Sequence, residues 1–269
     1  MTTQEIKGKL TAILSADMKG YNRLIAKDEA GTLQTLNTRK TLSYKKDCLK
    51  TLWSLAMPED HFEKLIIDRL APHKAALVVV DVQKDFCHPQ GAFAKKNVNL
   101  SHVEKSVVTL VSFLEKCRQF NFPIIFVRTI HSDWTDSPSW LGRFGGTGKE
   151  FLVCRQNSWG AEFYRVEPRT SDCIVTKHRF SGFSGTDLDL ILKSKWIETL
   201  LISGVVTNVC VETTARDGFN LDYHIILIED CCGAYFLEEH ASTLNNIGKY
   251  FGIVTDSKNL TGMMGKIGG

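Results

Sequence analysis

The sequence predicts an α/β fold of three layers, in which helices cover both faces of a six-stranded parallel sheet. Short, continuous apolar runs recur along the chain, the strongest from Ala75 to Val80, and such runs are typical of strands buried on both faces. Segments with helical periodicity alternate with these runs, which indicates parallel strands joined by crossover helices. Polar residues directly follow several runs, at the edge where an open α/β sheet binds its ligands.

Composition and charge exclude several functional classes. The chain has 269 residues, of which 43% are hydrophobic and 23% charged, as expected for a globular domain with or without an appendage. A net charge of +3 gives no reason to expect nucleic acid. No apolar run reaches the roughly 20 residues of a membrane span, and the N-terminal apolar segment is too short for a secretory signal. The eight cysteines are irregularly spaced and form no Cys-x-x-Cys pair. We therefore expect neither a disulfide framework nor a zinc site. This cysteine usage also favours a cytoplasmic location.

Residues 1–45 differ from the rest of the chain. The segment KLTAILSADMKGYNRLIAKDEAGTLQTLNTRK resembles the opening of a class III nucleotide cyclase domain, in which a strand carries a metal-binding aspartate, here Asp17. The resemblance covers some 35 residues, and the remainder of such a domain is missing. We therefore expect an N-terminal extension that packs as an extra strand and helix or mediates assembly. A nucleotide-responsive module remains the alternative.

The remaining segments are predicted as a helical lead-in over 46–72, a catalytic domain over 73–260 and a flexible, glycine-rich tail over 261–269. Pro58 interrupts the lead-in, after which an apolar stripe follows helical spacing. Within the domain we expect helices over 103–120, from 186, from 209 to 219 and over 237–249. The expected strands are 75–80, 123–131, 172–177, 197–203, 224–229 and a short strand from 252.

Three reactive side chains are expected at one edge of this sheet. Asp81 and Lys177 each end a buried run, and Cys210 lies in the first turn of the helix that follows the fourth strand. Thr207 and Asn208 are residue types that cap helices, and a helix N-terminus favours a thiolate. A carboxylate can take the proton of a thiol, and an ammonium between them stabilises negative charge.

The sequence leaves two alternatives for Cys210. Cys210 can be a small buried apolar residue, which is the common fate of a free cysteine. A cysteine–histidine arrangement is also possible because His88, His131 and His178 are near the predicted site in the sequence.

Residues 131–171 form the least regular part of the chain. Such a long irregular segment is usually a binding loop or lid. Its aromatic residues could line a pocket or anchor the loop, and we favour anchoring for most of them: Trp134, Trp140, Phe144 and Trp159.

Three motifs resemble those of the isochorismatase-like cysteine hydrolases, a family that includes nicotinamidases and ureidoacrylate amidohydrolase. They are DVQKDF, KHRFSGFSGTDLDLIL and SGVVTNVCVETTARDGF, and the resemblance spans about residues 60–260. It implies a six-stranded parallel sheet and a catalytic triad of Asp81, Lys177 and Cys210. It also implies a cis peptide bond between Val205 and Val206, with the N–H groups of Val206 and Cys210 forming the oxyanion hole.

Departures from the family pattern narrow the expected chemistry. Metal-binding nicotinamidases carry Asp-x-His after the second strand, but here Asp133 is followed by Trp134 and Thr135, so we predict no metal and no other cofactor. The retained cysteine argues against vinyl-ether hydrolysis, and the motifs look closest to the ureidoacrylate amidohydrolase branch. A nicotinamidase-type or isochorismatase-type hydrolase and a catalytically silent member of the fold are the alternatives.

The resemblance also suggests what the protein binds. We expect a small amide or ureido compound as the substrate, a homodimer or homotetramer, and neither nucleic acid nor membrane as a partner. The candidate substrate contacts are Asn208, Phe183, Trp159, Arg179, Phe86 and Gln83.

Overall fold

A computed structural model describes residues 59–71, 73–143 and 152–267. Apolar runs form the strands, as the sequence predicts. They are β1 (Ala75–Val80), β2 (Ile124–Thr129), β3 (Cys173–Lys177), β4 (Thr199–Val205), β5 (His224–Gly233) and β6 (Ile253–Thr255). The six strands pair in parallel in the order β3-β2-β1-β4-β5-β6. This confirms the predicted six-stranded parallel sheet.

Helices cover both faces of the sheet. They are α1 (Glu59–Arg69), α2 (Lys84–Cys87), α3 (Ala92–Lys95), α4 (Ser101–Gln119), α5 (Pro138–Gly142), α6 (Leu188–Ser194), α7 (Glu212–Asn220), α8 (Leu237–Asn246) and α9 (Ser257–Ile267). One apolar cluster takes residues from α1, α4 and α9, and the other takes residues from α6, α7 and α8. Because alternate strand residues point to opposite faces, these clusters are the two cores of a three-layer fold. Within the described ranges, no helix combines the length and apolar character needed to cross a membrane.

The C-terminal segment corrects one prediction. Residues 257–267 form helix α9, whereas the sequence predicted a flexible tail from residue 261. Leu260 and Met264 of this helix are buried in the same apolar cluster as Ile66 and Leu70 of the lead-in. Burial of these side chains outweighs the low helix propensity of Gly262 and Gly265 in the same helix. The N-terminal extension, the cyclase-like motif, most of the lead-in and Phe144 lie outside the described residues.

Strand β4 is longer than the sequence predicted, and its end shapes the region before Cys210. The strand continues through Gly204 instead of ending there, with a register shift against β5 between Ile202 and Gly204. Gly204 has φ +117°, and a Cβ placed on it would lie 2.0 Å from the backbone oxygen of Val80. Only glycine allows β4 to approach β1 this closely. The next peptide bond, Val205–Val206, is cis, as the family resemblance implied.

Candidate active site

The strand order reverses between β1 and β4, and the predicted reactive residues surround that point. In a parallel sheet, loops leave in opposite directions from two such neighbouring strands and open a crevice beyond their carboxyl ends. Asp81 directly follows β1, and the segment carrying Cys210 follows β4. Lys177 ends β3, and its partner in the register of β2 is Thr129. The topology thus places all four residues at the carboxyl edge of the sheet.

Asp81 and Lys177 form a buried ion pair at this edge. Lys177 Nζ lies 2.7 Å from Asp81 Oδ2, and each side chain is only 1% exposed. The ammonium also donates hydrogen bonds to Thr129 Oγ1 at 2.7 Å and to the backbone oxygen of Arg179 at 2.9 Å. Burial by itself lowers the pKa of Lys177, but Asp81 and Cys210 outweigh burial, and the pKa lies above its usual value. Lys177 is therefore a charged ammonium at neutral pH.

The backbone of Asp81 points the carboxylate back toward the sheet. Its φ is +51°, a left-handed conformation that aspartate tolerates better than most residues. Its N–H donates to the oxygen of Val127 at 2.8 Å, and its carbonyl oxygen accepts from the N–H of Gln83 at 2.7 Å. These bonds hold the turn after β1 in place.

Cys210 lies next to this ion pair in a wide turn, Thr207–Val211, that leads into α7. Burial raises the pKa of the Cys210 thiol far above its usual range; Lys177 lowers the pKa, and Asp81 raises it, through charge and hydrogen bonding. Burial therefore favours the thiol form of Cys210 and opposes the thiolate that the helix N-terminus was expected to favour. A thiol in this position needs a base, and Asp81 is next to it.

The wide turn is held by side chains of α8 instead of by the predicted caps. Val206 occupies the position before the turn, and neither Thr207 nor Asn208 caps it. Thr207 Oγ1 is 3.0 Å from His240 Nδ1, and Asn208 Nδ2 donates to Glu239 at 2.8 Å. Asn208 Oδ1 is buried without a hydrogen-bond partner among the described residues. These bonds tie consecutive residues of the cysteine turn to one helix.

Two predicted substrate contacts have structural roles. Gln83 is completely buried, and its side-chain amide bonds the backbone of Thr129 in both directions and the oxygen of Ala161, each at 2.8 Å. Both N–H groups of that amide are therefore taken, and its oxygen already accepts one bond. Phe86 is buried against Phe93, with ring centroids 5.7 Å apart. Both residues follow the motif aspartate closely in sequence, but their side chains pack into the core.

Of the remaining candidate substrate contacts, two pack against other aromatic rings and one lies closer to the ion pair. Phe183 stacks on Tyr223 at 5.8 Å, a contact that belongs to the packing of α7. Trp159 is 42% exposed and meets the edge of His88 at 4.9 Å. Arg179 lies closer to the ion pair, because its carbonyl oxygen accepts from Lys177. Its guanidinium donates to the oxygens of Thr135 and His178 at 3.0 and 2.6 Å.

Trp140 forms an aromatic cluster beside Arg179. Its ring centroid is 5.2 Å from that of His131 and 4.9 Å from that of Phe180. The guanidinium carbons of Arg143 and Arg179 lie 3.8 and 5.1 Å from the same ring. Trp140 therefore anchors the loop, as expected, whereas the Trp134 side chain is 99% exposed and packs on nothing.

The three candidate histidines make contacts away from Cys210. His88 Nδ1 accepts from the N–H of Gln90 at 3.0 Å, and His178 Nδ1 is 2.6 Å from the oxygen of Ile130. His131 is buried 3.2 Å from Asp136. Burial lowers the pKa of His131 to about 4, so this contact is not an ion pair at neutral pH. The geometry favours Asp81 over a histidine as the base.

Thr129 is the site residue that the sequence interpretation missed. Its hydroxyl donates to Asp81 Oδ1 at 2.9 Å and accepts from Lys177. The signal was available, because Thr129 is a polar residue at the end of the β2 run, as Asp81 and Lys177 are at the ends of theirs. A threonine in a strand is common enough to pass unnoticed.

The described residues contain no group of three or more His, Cys, Asp or Glu side chains arranged to hold a metal ion. Asp133, the first residue of the incomplete nicotinamidase motif, is bonded to Arg155 at 2.6 Å. The seven cysteines in the described part of the chain are free thiols.

A family profile identifies the domain. The profile of the isochorismatase domain matches residues 75–259, more than half of the chain. The protein belongs to the isochorismatase family. Among curated proteins, it is 31% identical to the ureidoacrylate amidohydrolase RutB of Klebsiella pneumoniae over 208 residues, covering 69% of this chain and 85% of that one.

Solved structures of similar proteins share the fold of this chain. A cysteine hydrolase from Pseudomonas syringae pv. phaseolicola aligns with a TM-score of 0.64 and 28% identity, covering 74% of this chain and 96% of that one. The N-carbamoylsarcosine amidase of Thermoplasma acidophilum aligns with a TM-score of 0.56 and 28% identity, covering 68% and 96%. The described fold is therefore that of the isochorismatase family.

Proposed function

We propose that this protein hydrolyses a small amide or ureido C–N bond through a thioester on Cys210. The observation that carries the proposal is the buried ion pair of Asp81 and Lys177, 2.7 Å apart, beside a cysteine at the point where the strand order reverses. The names of the family relatives, an amidohydrolase of ureidoacrylate and an amidase of N-carbamoylsarcosine, support the same reaction class.

In the first half of the reaction, Asp81 takes the thiol proton as the Cys210 sulfur attacks the substrate carbonyl carbon. The N–H groups of Val206 and Cys210 stabilise the oxyanion that forms. The C–N bond then breaks, and Asp81 returns the proton to the departing nitrogen, which leaves as ammonia or an amine. The acyl group remains on the sulfur as a thioester.

In the second half, Asp81 takes a proton from water as the water oxygen attacks the thioester. The C–S bond breaks, the acid product forms, and the sulfur regains its proton. Lys177 remains charged throughout and offsets the negative charge that moves between Asp81 and the substrate. No metal ion enters this reaction.

The substrate is proposed to carry a carboxylate in addition to the amide. Ureidoacrylate, the compound in the relative's name, is an acid. Arg179 and Arg143 supply positive charge around Trp140, next to Lys177, and a guanidinium can bind a carboxylate through two parallel hydrogen bonds. Asn208 is a candidate contact for the N–H groups of the amide or ureido part, since its Oδ1 is a buried acceptor.

The test is ammonia release measured over a panel of amides. The panel contains nicotinamide, ureidoacrylate, biuret and matched pairs of N-carbamoyl amino acids and their neutral amides. We expect turnover of ureido acids, weaker turnover of the neutral members of each pair, and full activity after exhaustive chelation. Loss of activity to a chelator and recovery with zinc, iron or manganese would contradict the metal-independent reaction. Absence of turnover on the whole panel would favour a silent member of the fold.

A further inference from the structure

Thr129 makes two hydrogen bonds whose direction is fixed by chemistry. Lys177 is an ammonium and can only donate, so Thr129 Oγ1 accepts at 2.7 Å. A hydroxyl has a single hydrogen, and Thr129 therefore directs it to Asp81 Oδ1, 2.9 Å away. The order of donation is Lys177 to Thr129 to Asp81.

This arrangement makes the two carboxylate oxygens of Asp81 different. Oδ1 accepts from Thr129. Oδ2 is 2.7 Å from Lys177 Nζ and is the oxygen that pairs with the ammonium. Oδ1 is therefore held by a neutral hydroxyl and Oδ2 by a positive charge.

The position of Thr129 is itself fixed by Gln83. The side-chain amide of Gln83 accepts from the Thr129 N–H and donates to the Thr129 oxygen, both at 2.8 Å. Both residues are buried, and the register of the sheet sets Thr129 opposite Lys177. Two hydrogen bonds with Gln83 and the register of the sheet therefore hold the Thr129 hydroxyl between Asp81 and Lys177.

We propose that Thr129 is a positioning residue that holds Asp81 through Oδ1 and keeps its carboxylate charged and ready to take the Cys210 proton. This role rests on the proposed function, in which Asp81 is the base. Without the hydroxyl, the carboxylate loses a hydrogen bond that favours its charged form. The acidic limb of Cys210 reactivity should therefore move to higher pH.

The test compares Thr129→Val, which keeps the shape and removes the hydroxyl, with Thr129→Ser, which keeps the hydroxyl. Alkylation of Cys210 by iodoacetamide is followed from pH 4 to pH 9 by mass spectrometry, and no substrate is needed. We expect the acidic limb of Thr129→Val to move upward by about one pH unit and that of Thr129→Ser to match the wild type. Thr176→Val is the matched control, because the Thr176 hydroxyl bonds Arg128 instead of Asp81.

An acidic limb that is unchanged in Thr129→Val would overturn the proposal, as would an equal shift in Thr129→Ser. If Thr129→Val does not fold, Thr129→Ala is judged by the same criteria. Because the readout is alkylation, it is independent of the amide panel. A protein that turns over no amide but shows the shift would refute the proposed function and leave the hydroxyl's role in place.

Discussion

Lys177 carries its charge in a position that water does not reach. A buried ammonium is costly unless it is paired, and the ammonium here is satisfied by Asp81, Thr129 and a backbone oxygen. The same charge lowers the pKa of Cys210 against the effect of burial. At the residue scale, the reactivity of the cysteine therefore depends on a lysine of β3, which is separated from β4 by β2 and β1 in the sheet.

Replacing Lys177 tests this dependence. Lys177→Met keeps most of the side-chain volume and removes the charge, so alkylation of Cys210 at neutral pH should slow. The midpoint of its pH profile should rise by a unit or more, about 1.4 kcal/mol per unit. Lys193→Met is the matched control, because that lysine forms an exposed ion pair with Asp189 on α6. A profile identical to that of the wild type would show that Lys177 does not act on the nucleophile.

His131 links the site to the pH dependence of stability. Burial lowers its pKa from 6.5 to about 4, Asp136 opposes this shift, and Lys177 and Arg143 add to it. Between these two pH values the unfolded chain binds a proton at His131 and the folded chain does not. Stability therefore falls as the pH drops from 6.5 toward 4, by on the order of 2 kcal/mol for this residue.

The measurement is urea unfolding of the wild type and His131→Gln at several pH values between 7 and 4.5. The variant should lose less stability on acidification than the wild type. His88→Gln, which replaces a histidine outside the aromatic cluster of Trp140, should show the same dependence of stability on pH as the wild type. Equal slopes in the wild type and His131→Gln would assign the acid sensitivity to other groups.

At the scale of elements, the end of β4 determines where Cys210 is presented. Gly204 brings the strand against Val80 of β1 before the chain turns into the cysteine segment. Side chains from α8 then hold Thr207 and Asn208. The nucleophile is thus positioned by a strand on one side and a helix on the other.

Gly204→Ala should strongly destabilise the fold, because its new Cβ would lie 2.0 Å from the Val80 oxygen. We expect a loss of about 4 kcal/mol or more in the free energy of unfolding. Gly185→Ala is the control, since Gly185 also has a positive φ, +68°, but no atom within 4 Å of a Cβ. Its cost should be about 1 kcal/mol. Denaturant unfolding measures both, and similar losses would show that backbone conformation, not the close approach, requires glycine at 204.

Strands were easier to predict than the details of the site. Each apolar run in the sequence became a strand because parallel strands buried on both faces need such runs. The ends of those runs predicted that Asp81, Lys177 and Cys210 lie at one edge of the sheet. The direction of a side chain depends on tertiary packing, which is why the sequence did not show that Gln83 bonds Thr129 or that Phe86 packs on Phe93. The same dependence hid α9, whose helix is stabilised by burial of Leu260 and Met264.

At the scale of the whole molecule, the sheet and its covering helices lie within the matched family domain or close to it. The strands span residues 75–255, and the described helices begin at Glu59. The resemblance of the N-terminal extension to a cyclase segment remains an interpretation of the sequence.

Removing residues 1–45 should leave the hydrolase domain folded and active. We expect the thermal midpoint to stay within about 4 °C of that of the full chain, which corresponds to roughly 1 kcal/mol. Soluble expression, thermal unfolding and ammonia release would be compared between the two chains, with analytical ultracentrifugation to detect a change in assembly. A truncated chain that is insoluble even at low temperature would place the extension in the core.

The covalent role of Cys210 is tested most directly by trapping the acyl-enzyme. The protein is mixed with an amide that it turns over, quenched in acid within milliseconds to seconds, and measured by intact mass spectrometry and peptide mapping. We expect an adduct with the mass of the acyl group on Cys210, and neither adduct nor ammonia release above about a thousandth of the wild-type rate in Cys210→Ala. Turnover retained by Cys210→Ala, or an adduct on another residue, would contradict the covalent role of Cys210.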